Sequence, residues 1–363
     1  MYQTAKKVLK LITKHGFKAY IVGGYPRDLY LKRQSIDIDI CTNATPKDLK
    51  EIFKNSILSK QEYGGVTVVI NNTHFEITTF RKEIKYKNNR FPIEIEYIDY
   101  LIDDLERRDF TINTLCIDEN DNLIDLLNSK EDIDKKVIKT VGDSDKKIKE
   151  DALRILRAIR FATVLDFNLD EKLKQSILKY GYLIKDLSYF RKKEELNKIF
   201  TSLNVKKGIE LIKELNLDTY LELENIDNLI LTISPIAIWA QLNVTHKYDF
   251  SNIEKDTIIR INELLDKDIL DNEILYRNGL YICSLVAEIK QMDKKKIIDR
   301  YNKLPIKNKS EILLKGDEIC KLLSKKPGPF LKNIIDDLEF KIITKQLKNE
   351  RNYLIDYIIK TYS

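Results

Sequence analysis

Histidine and cysteine are both scarce in this sequence, with three of the first and four of the second among 363 residues. Cys41, Cys116, Cys283 and Cys320 are dispersed and form no C-x-x-C pair, which excludes a disulfide scaffold and a zinc ribbon. His15, His74 and His246 each lack a neighbouring His or Asp, which argues against a histidine-based metal site. No run approaches the roughly 18 uncharged apolar residues of a membrane span. The first twenty residues alternate charge with apolar side chains in a helical pattern and contain no apolar core or small-residue cleavage site, unlike a signal peptide. The expectation is a soluble, cytoplasmic protein with no membrane partner. Proline is thin and unevenly placed: Pro26, Pro46 and Pro92 come early, and none follows until Pro235. Glycine is equally sparse after residue 100, which predicts a mostly helical remainder.

What is present suffices for a core. Hydrophobic residues make up 43% and charged residues 33% of the chain, which excludes wholesale disorder. The length predicts two to four domains at roughly 100–200 residues each. The net charge of +6 is uneven, with a basic first fifty residues, an acidic stretch over 101–150 and a basic end over 301–363. That distribution suits a polyanion contacted at the far end, and equally suits Lys-rich solvated helix faces.

Residues 19–24, AYIVGG, read as a buried strand ending in a glycine turn, and 35–41, SIDIDIC, as a strand carrying Asp37 and Asp39 on one face. GGVTVVI (64–70) and THFEITTF (73–80) predict a hairpin turning at Asn71-Asn72, and 93–100 is another alternating run. From residue 149 onward a period near 3.6 takes over. Two carboxylates side by side repel each other unless a cation lies between them, and oxygen ligands on a rigid strand suit Mg²⁺ with phosphate. An ordinary acidic edge strand gives the same pattern. Upstream, Gly23-Gly24-Tyr25-Pro26-Arg27-Asp28 ends a strand and opens a helix, where bare backbone N–H groups and Arg27 can meet a phosphate.

The combination GGYPRD with DID resembles the signature of the polymerase-β-like nucleotidyltransferases. The strings ERRDFTIN (106–113) and EDALRILRAIRF (150–161) narrow the resemblance to bacterial tRNA nucleotidyltransferases of the CCA-adding type and their poly(A) polymerase relatives. LPIKNKSEILLKGDEI (304–319) and KKPGPFLKNII (325–335) look like the tail of the Bacillus type, so the likeness spans the chain and is weakest over 201–300. The fold it implies is α+β: a polymerase-β-like head with a small mixed sheet over 1–140, then an all-α neck over 141–200, body over 201–300 and tail over 301–363. The implied chemistry is transfer of C, C and A from CTP and ATP to a tRNA 3′ end. Asp37 and Asp39 would hold Mg²⁺, Gly24 and Arg27 the triphosphate, and Arg108, Asp151, Arg154, Arg157 and Arg160 the nucleotide. Glu76 is a candidate third carboxylate, although a structural strand Glu fits as well.

Asp151, Arg154, Arg157 and Arg160 recur every third residue and predict a drifting ridge on one helix, with Leu153, Ile155, Leu156, Ile159 and Phe161 on its buried side. Cytosine and adenine each present an amine donor beside a ring-nitrogen acceptor. A carboxylate with a guanidinium complements that edge and opposes the reversed edge of uracil and guanine. A plain Asp151–Arg154 surface ion pair is the alternative.

The segment 81–92, RKEIKYKNNRFP, reads as a full-length flexible loop, which favours the complete CCA product, though Lys85, Lys87 and Asn88 depart from more acidic relatives. Phe190 stands where relatives carry a Glu in the neck, while Arg191 and Glu195 fit. Tyr301, Lys303, Lys307, Lys309, Lys315, Lys325 and Lys326 suit stacking and backbone contacts to a folded tRNA, or a solvated helix pair. The expectation is an enzyme with neither a basic poly(A)-polymerase extension nor a phosphohydrolase appendage. A CC-adding, A-adding or poly(A) enzyme, a small-molecule nucleotidyltransferase and a non-catalytic RNA-binding relative are the rival readings. The oligomeric state, including a homodimer, stays open.

Overall fold

A computed structural model describes residues 1–35, 37–54, 57–58, 64–70, 72–87 and 91–363, with the side chains of 57–58, 83–87 and 91–94 left out of the description. The chain divides into two compact units, Met1–Leu223 and Glu224–Ser363.

The first unit begins with helix α1 (Tyr2–Lys14), which buries Ala5, Val8, Leu9 and Ile12, the spacing of one helix face. A seven-stranded mixed sheet follows, ordered β3-β4-β5-β2-β1-β8-β9. Its strands are β1 (Ala19–Val22), β2 (Asp39–Thr42), β3 (Ile57–Leu58), β4 (Gly65–Ile70), β5 (Thr73–Thr79), β8 (Cys116–Ile117) and β9 (Leu123–Ile124). β2 and β5 run parallel and the other neighbours antiparallel. The two-residue period divides the core between the faces. Ile21, Ile40 and Ile77 pack with α1 and Leu49 of α3 (Pro46–Ile52), whereas Val22, Cys41 and Phe80 pack with Leu105 of α4 (Leu101–Glu106). α2 (Gly24–Tyr30) leaves the end of β1.

The expected β4–β5 hairpin forms; Asn71 lies outside the described residues, and Asn72 takes a left-handed φ of 58°. Residues 81–92 depart from the flexible loop read in the sequence. β6 (Arg81–Lys87) pairs with β7 (Phe91–Tyr97) as a separate two-stranded hairpin, while 88–90 fall outside the description. The register sets Lys82 opposite Glu96, and opposite charges across strands favour pairing over a loop.

Past α5 (Ser129–Asp134), β10 (Val137–Ile138) pairs with β11 (Asn168–Leu169), and helices take over: α6 (Ser144–Glu150), α7 (Leu153–Leu165), α8 (Glu171–Tyr180), α9 (Tyr189–Phe200), α10 (Val205–Glu214) and α11 (Leu217–Leu221). α7 is the centre of this group. It buries Ile155, Leu156, Ala158, Ile159 and Ala162, while Leu153 and Phe161, expected in the core, are only half-buried. α10 approaches so closely that a Cβ on Gly208 would lie 2.5 Å from Ile199 and 2.8 Å from Thr163, so only glycine fits there.

The second unit is helical: α12 (Pro235–Gln241), α13 (Asn252–Leu264), α14 (Asn272–Ile289), α15 (Lys294–Asn302), α16 (Gly316–Leu322), α17 (Phe330–Ile343) and α18 (Arg351–Tyr362). Trp239 packs against Tyr248 and Phe250 at one end. Ile334, Leu338, Ile342, Leu354 and Ile358 form a separate core from α17 and α18. No helix among the described residues is long and apolar enough to cross a membrane. All four cysteines are free and buried.

Candidate active site

Four chain segments meet here: the β1–α2 turn, the start of β2, the RRDFTIN segment after α4, and α7. Gly23 carries the turn at φ 85°, ψ −131°, a conformation that side chains with a Cβ avoid. A Cβ there would stand 3.4 Å from Asp39 Oδ2, which places the turn against the carboxylate. Gly24 opens α2, and a Cβ on it would meet Arg27 Nη2 at 3.5 Å.

Asp39 begins β2, whereas Asp37 precedes the paired strand; Ile36 lies outside the described residues. The alternation read from the sequence persists without the ladder, since Asp37 and Asp39 are exposed and Ile38 and Ile40 buried. The parallel register places Glu76 of β5 directly beside Asp39. Among the described residues no three His, Cys, Asp or Glu side chains converge into a closed metal cage. An oxygen-only pair of exposed aspartates fits a hard divalent cation that draws its other ligands from phosphate and water.

The arginines form a more elaborate arrangement than a ridge. Asp151 is not helical: at φ −150°, ψ 104° it sits in a break between α6 and α7, and its Oδ1 accepts the Leu153 N–H at 3.0 Å. The side chain thus starts α7 instead of riding on it, because an Asp at a helix start bonds orphan backbone N–H groups more readily than it continues the helix. Arg154 is buried and paired with Glu150 at 2.8 Å, and it also donates to the carbonyls of Lys147 and Arg107. The structure thus gives Arg154 a partner in Glu150, one that neither the base-reading pair nor the alternative surface pair names.

Arg157 donates from Nε to Asp109 Oδ2 at 2.7 Å. Burial alone would raise the Asp109 carboxyl, but Arg157, Asn113 and the Phe110 N–H hold it well below the usual carboxylate range. Asn113 also accepts from Arg27 Nη1 at 2.6 Å, and Arg27 is braced by Asp28 at 2.8 Å. Arg160 Nε lies 3.1 Å from Glu195 Oε2, yet neither atom has the geometry of a hydrogen bond to any partner. Burial, with Arg157 nearby, pushes the Arg160 guanidinium down from its ordinary value. Arg27, Arg157 and Arg160 all face the ring of Phe161.

Arg108 turns elsewhere, to the fully buried Asp104 at 3.1 Å, and its own Nε is buried with no acceptor. Sequence reasoning quoted Asp109, Asn113 and Glu150 only as parts of motifs and named Glu195 only as fitting the neck, without seeing that they anchor the arginines. The signal available was a carboxylate or amide inside a motif read only for its arginines. Phe190 is 54% exposed beside Arg191, and Arg191 pairs with Glu194. The neck contact is made by Glu195 with Arg160 and Lys198, so Phe190 stands outside it. In the second unit Lys309 is paired with Asp336 and Glu339, and Lys315 donates to the carbonyls of Ser310 and Ile312.

Comparison with known proteins follows these same segments. Family models match the poly(A) polymerase head domain over 19–139, the probable RNA and SrmB-binding site of polymerase A over 166–226, and tRNA nucleotidyltransferase domain 2 over 237–358. The chain is 32% identical to the CCA-adding enzyme of Anoxybacillus flavithermus, covering 98% of this chain and 96% of the relative. It is 33% identical to that of Lactococcus lactis subsp. lactis, over 96% and 94% respectively. The crystal structure of the Bacillus stearothermophilus CCA-adding enzyme in complex with CTP superposes with a TM-score of 0.84 at 27% identity, covering 99% of this chain and 97% of that one. By sequence and by fold, the chain belongs to the CCA-adding enzymes and is a nucleotidyltransferase with a poly(A)-polymerase-type head.

Proposed function

We propose that this protein adds C, C and A to the 3′ end of tRNA from CTP and ATP without a nucleic-acid template, releasing pyrophosphate at each step, in the bacterial cytoplasm. The observation that carries the reading is exposed Asp39, with Asp37 two residues before it, lying against a glycine turn that leads into Arg27, in a unit whose other arginines are held by carboxylates.

Asp37 and Asp39 would hold Mg²⁺, which when bound activates the RNA 3′-hydroxyl and neutralises charge on the departing pyrophosphate. Gly24 and Arg27 receive the triphosphate, joined by Arg157 and Arg160. Arg108 is kept among the nucleotide residues on the family resemblance, since Asp104 holds its guanidinium and its Nε is buried. Asp151 and Arg154 read the base: the carboxylate accepts from the exocyclic amine and the guanidinium donates to the ring nitrogen. Three Arg154 N–H groups are engaged by Glu150, Lys147 and Arg107, which fixes the plane of the guanidinium for the remaining ones. In this division of labour residues 1–140 perform transfer, 141–200 read the nucleotide, and 201–300 with 301–363 hold the tRNA.

The test is to offer a tRNA lacking its last three nucleotides with CTP, ATP or both, and to sequence the product ends. CCA from the mixture supports the proposal. CC alone from the mixture, or long A tracts, would assign the chain to a CC-adding enzyme or a poly(A) polymerase instead.

A further inference from the structure

Phe161 belongs to α7, where an apolar residue would ordinarily serve packing, yet its ring is only half-buried and three guanidiniums surround it. The Cζ atoms of Arg160, Arg27 and Arg157 lie 4.1, 5.3 and 5.5 Å from the ring centroid. Phe110 meets the same ring edge-on at 5.7 Å with an interplanar angle of 79°, fixing its tilt. Each arginine has its own carboxylate: Asp28 for Arg27, Asp109 for Arg157 and Glu195 for Arg160. Asn113 links Arg27 to the Asp109 that holds Arg157, and α7 carries Arg157 and Arg160 one turn apart, but among the described residues no polar group touches all three. The shared ring does. Three like charges this close repel, and the electron-rich face of an aromatic ring offsets that repulsion while fixing where each cation lies. An aliphatic side chain would fill the volume and supply no such attraction.

We propose that Phe161 is a positioning residue for the nucleotide triphosphate: its ring holds Arg27, Arg157 and Arg160 in the arrangement that receives the phosphates of CTP and ATP alike. The inference rests on the reading of those arginines as nucleotide ligands. Its signature is indifference to the base. Removing the ring weakens both substrates equally and leaves discrimination intact, whereas altering Asp151 and Arg154 changes discrimination.

The experiment measures KM and kcat for CTP and ATP, the CTP-over-UTP efficiency ratio, and competitive inhibition by inorganic tripolyphosphate in the full-length protein. The variants are Phe161→Leu, Phe161→Met as a second ringless side chain should Leu fail to fold, and Phe161→Tyr. The ringless variants are expected to raise both KM values and the tripolyphosphate inhibition constant together by about fivefold to twentyfold. Their kcat and CTP-over-UTP ratio should stay near those of the wild type, and Phe161→Tyr should recover the affinity. A loss confined to kcat or melting temperature, with unchanged KM and inhibition constant, overturns the proposal and makes Phe161 a packing residue. If tripolyphosphate fails to inhibit an active wild type, the arginine reading itself fails and the proposal falls with it. Equal inhibition of wild type and ringless variants keeps that reading and removes Phe161 from it.

Discussion

Asp37 and Asp39 present exposed carboxylates just before and at the start of a strand, whereas Arg154 is a buried guanidinium braced by Glu150. The difference follows from what each end must do. A metal that takes most of its ligands from water and phosphate needs carboxylates reachable from solvent. A protein that reads a base edge without a template strand needs donors and acceptors whose positions are already settled, because a mobile guanidinium would accept either polarity. In the proposed reading the metal-holding end is therefore open and the base-reading end is built into the first unit's core.

The sharpest way to break this comparison is at the open end. Asp37→Ala and Asp39→Ala should each reduce transfer from CTP and ATP by at least about a thousandfold while changing tRNA affinity by less than about threefold. Turnover within tenfold of wild type, read by primer extension, would mean the metal-holding residues have been misplaced. At the recognition end, replacing Asp151 and Arg154 together should lower the CTP-over-UTP and ATP-over-GTP efficiency ratios by something on the order of a thousandfold. If overall activity drops but those ratios hold, the two residues serve structure alone.

Asp109→Asn leaves Arg157 without its charge partner and should cost about 2–3 kcal/mol in denaturant unfolding, discounted because Arg157 is partly exposed. The pH sign is fixed by the direction of the shift. The folded carboxyl lies below its unfolded value, so its contribution is full above the unfolded pKa and is lost as pH falls through the folded one. Acid unfolding curves of wild type and Asp109→Asn should therefore converge toward low pH. Curves that stay parallel would remove Asp109 as an anchor. Phe190→Ala, at an exposed position outside the neck contact, should change stability by less than about 0.5 kcal/mol and leave product length unaltered. A shortened product would give Phe190 a role that its exposure does not suggest.

The open end was legible in the sequence and the built end only partly so. Period-2 alternation exposes Asp37 and Asp39 whether or not the ladder reaches Asp37, and a double glycine after a strand announces its own turn. Arg27, Arg154, Arg157 and Arg160 were legible as residues, but not in their pairing. Asp109 and Glu195 are 48 and 35 positions away from Arg157 and Arg160, and no local spacing rule reaches that far. The break at Asp151 was missed because ED-A-L-R continues a helical apolar period on paper, and only the Asp151–Leu153 cap shows that α7 starts afresh. Likewise 81–92 reads as a loop until β7 is seen to supply the opposing strand.

The most direct measurement of the central contrast is nucleotide binding with divalent metal removed. Competition among CTP, ATP, UTP and GTP for the full-length protein in chelator should still favour CTP and ATP by about tenfold or more, although transfer is abolished, because base recognition is built without the aspartate end. Four equal affinities in chelator, with discrimination appearing only when Mg²⁺ is restored, would contradict a recognition end fixed in advance by Asp151, Glu150 and Arg154.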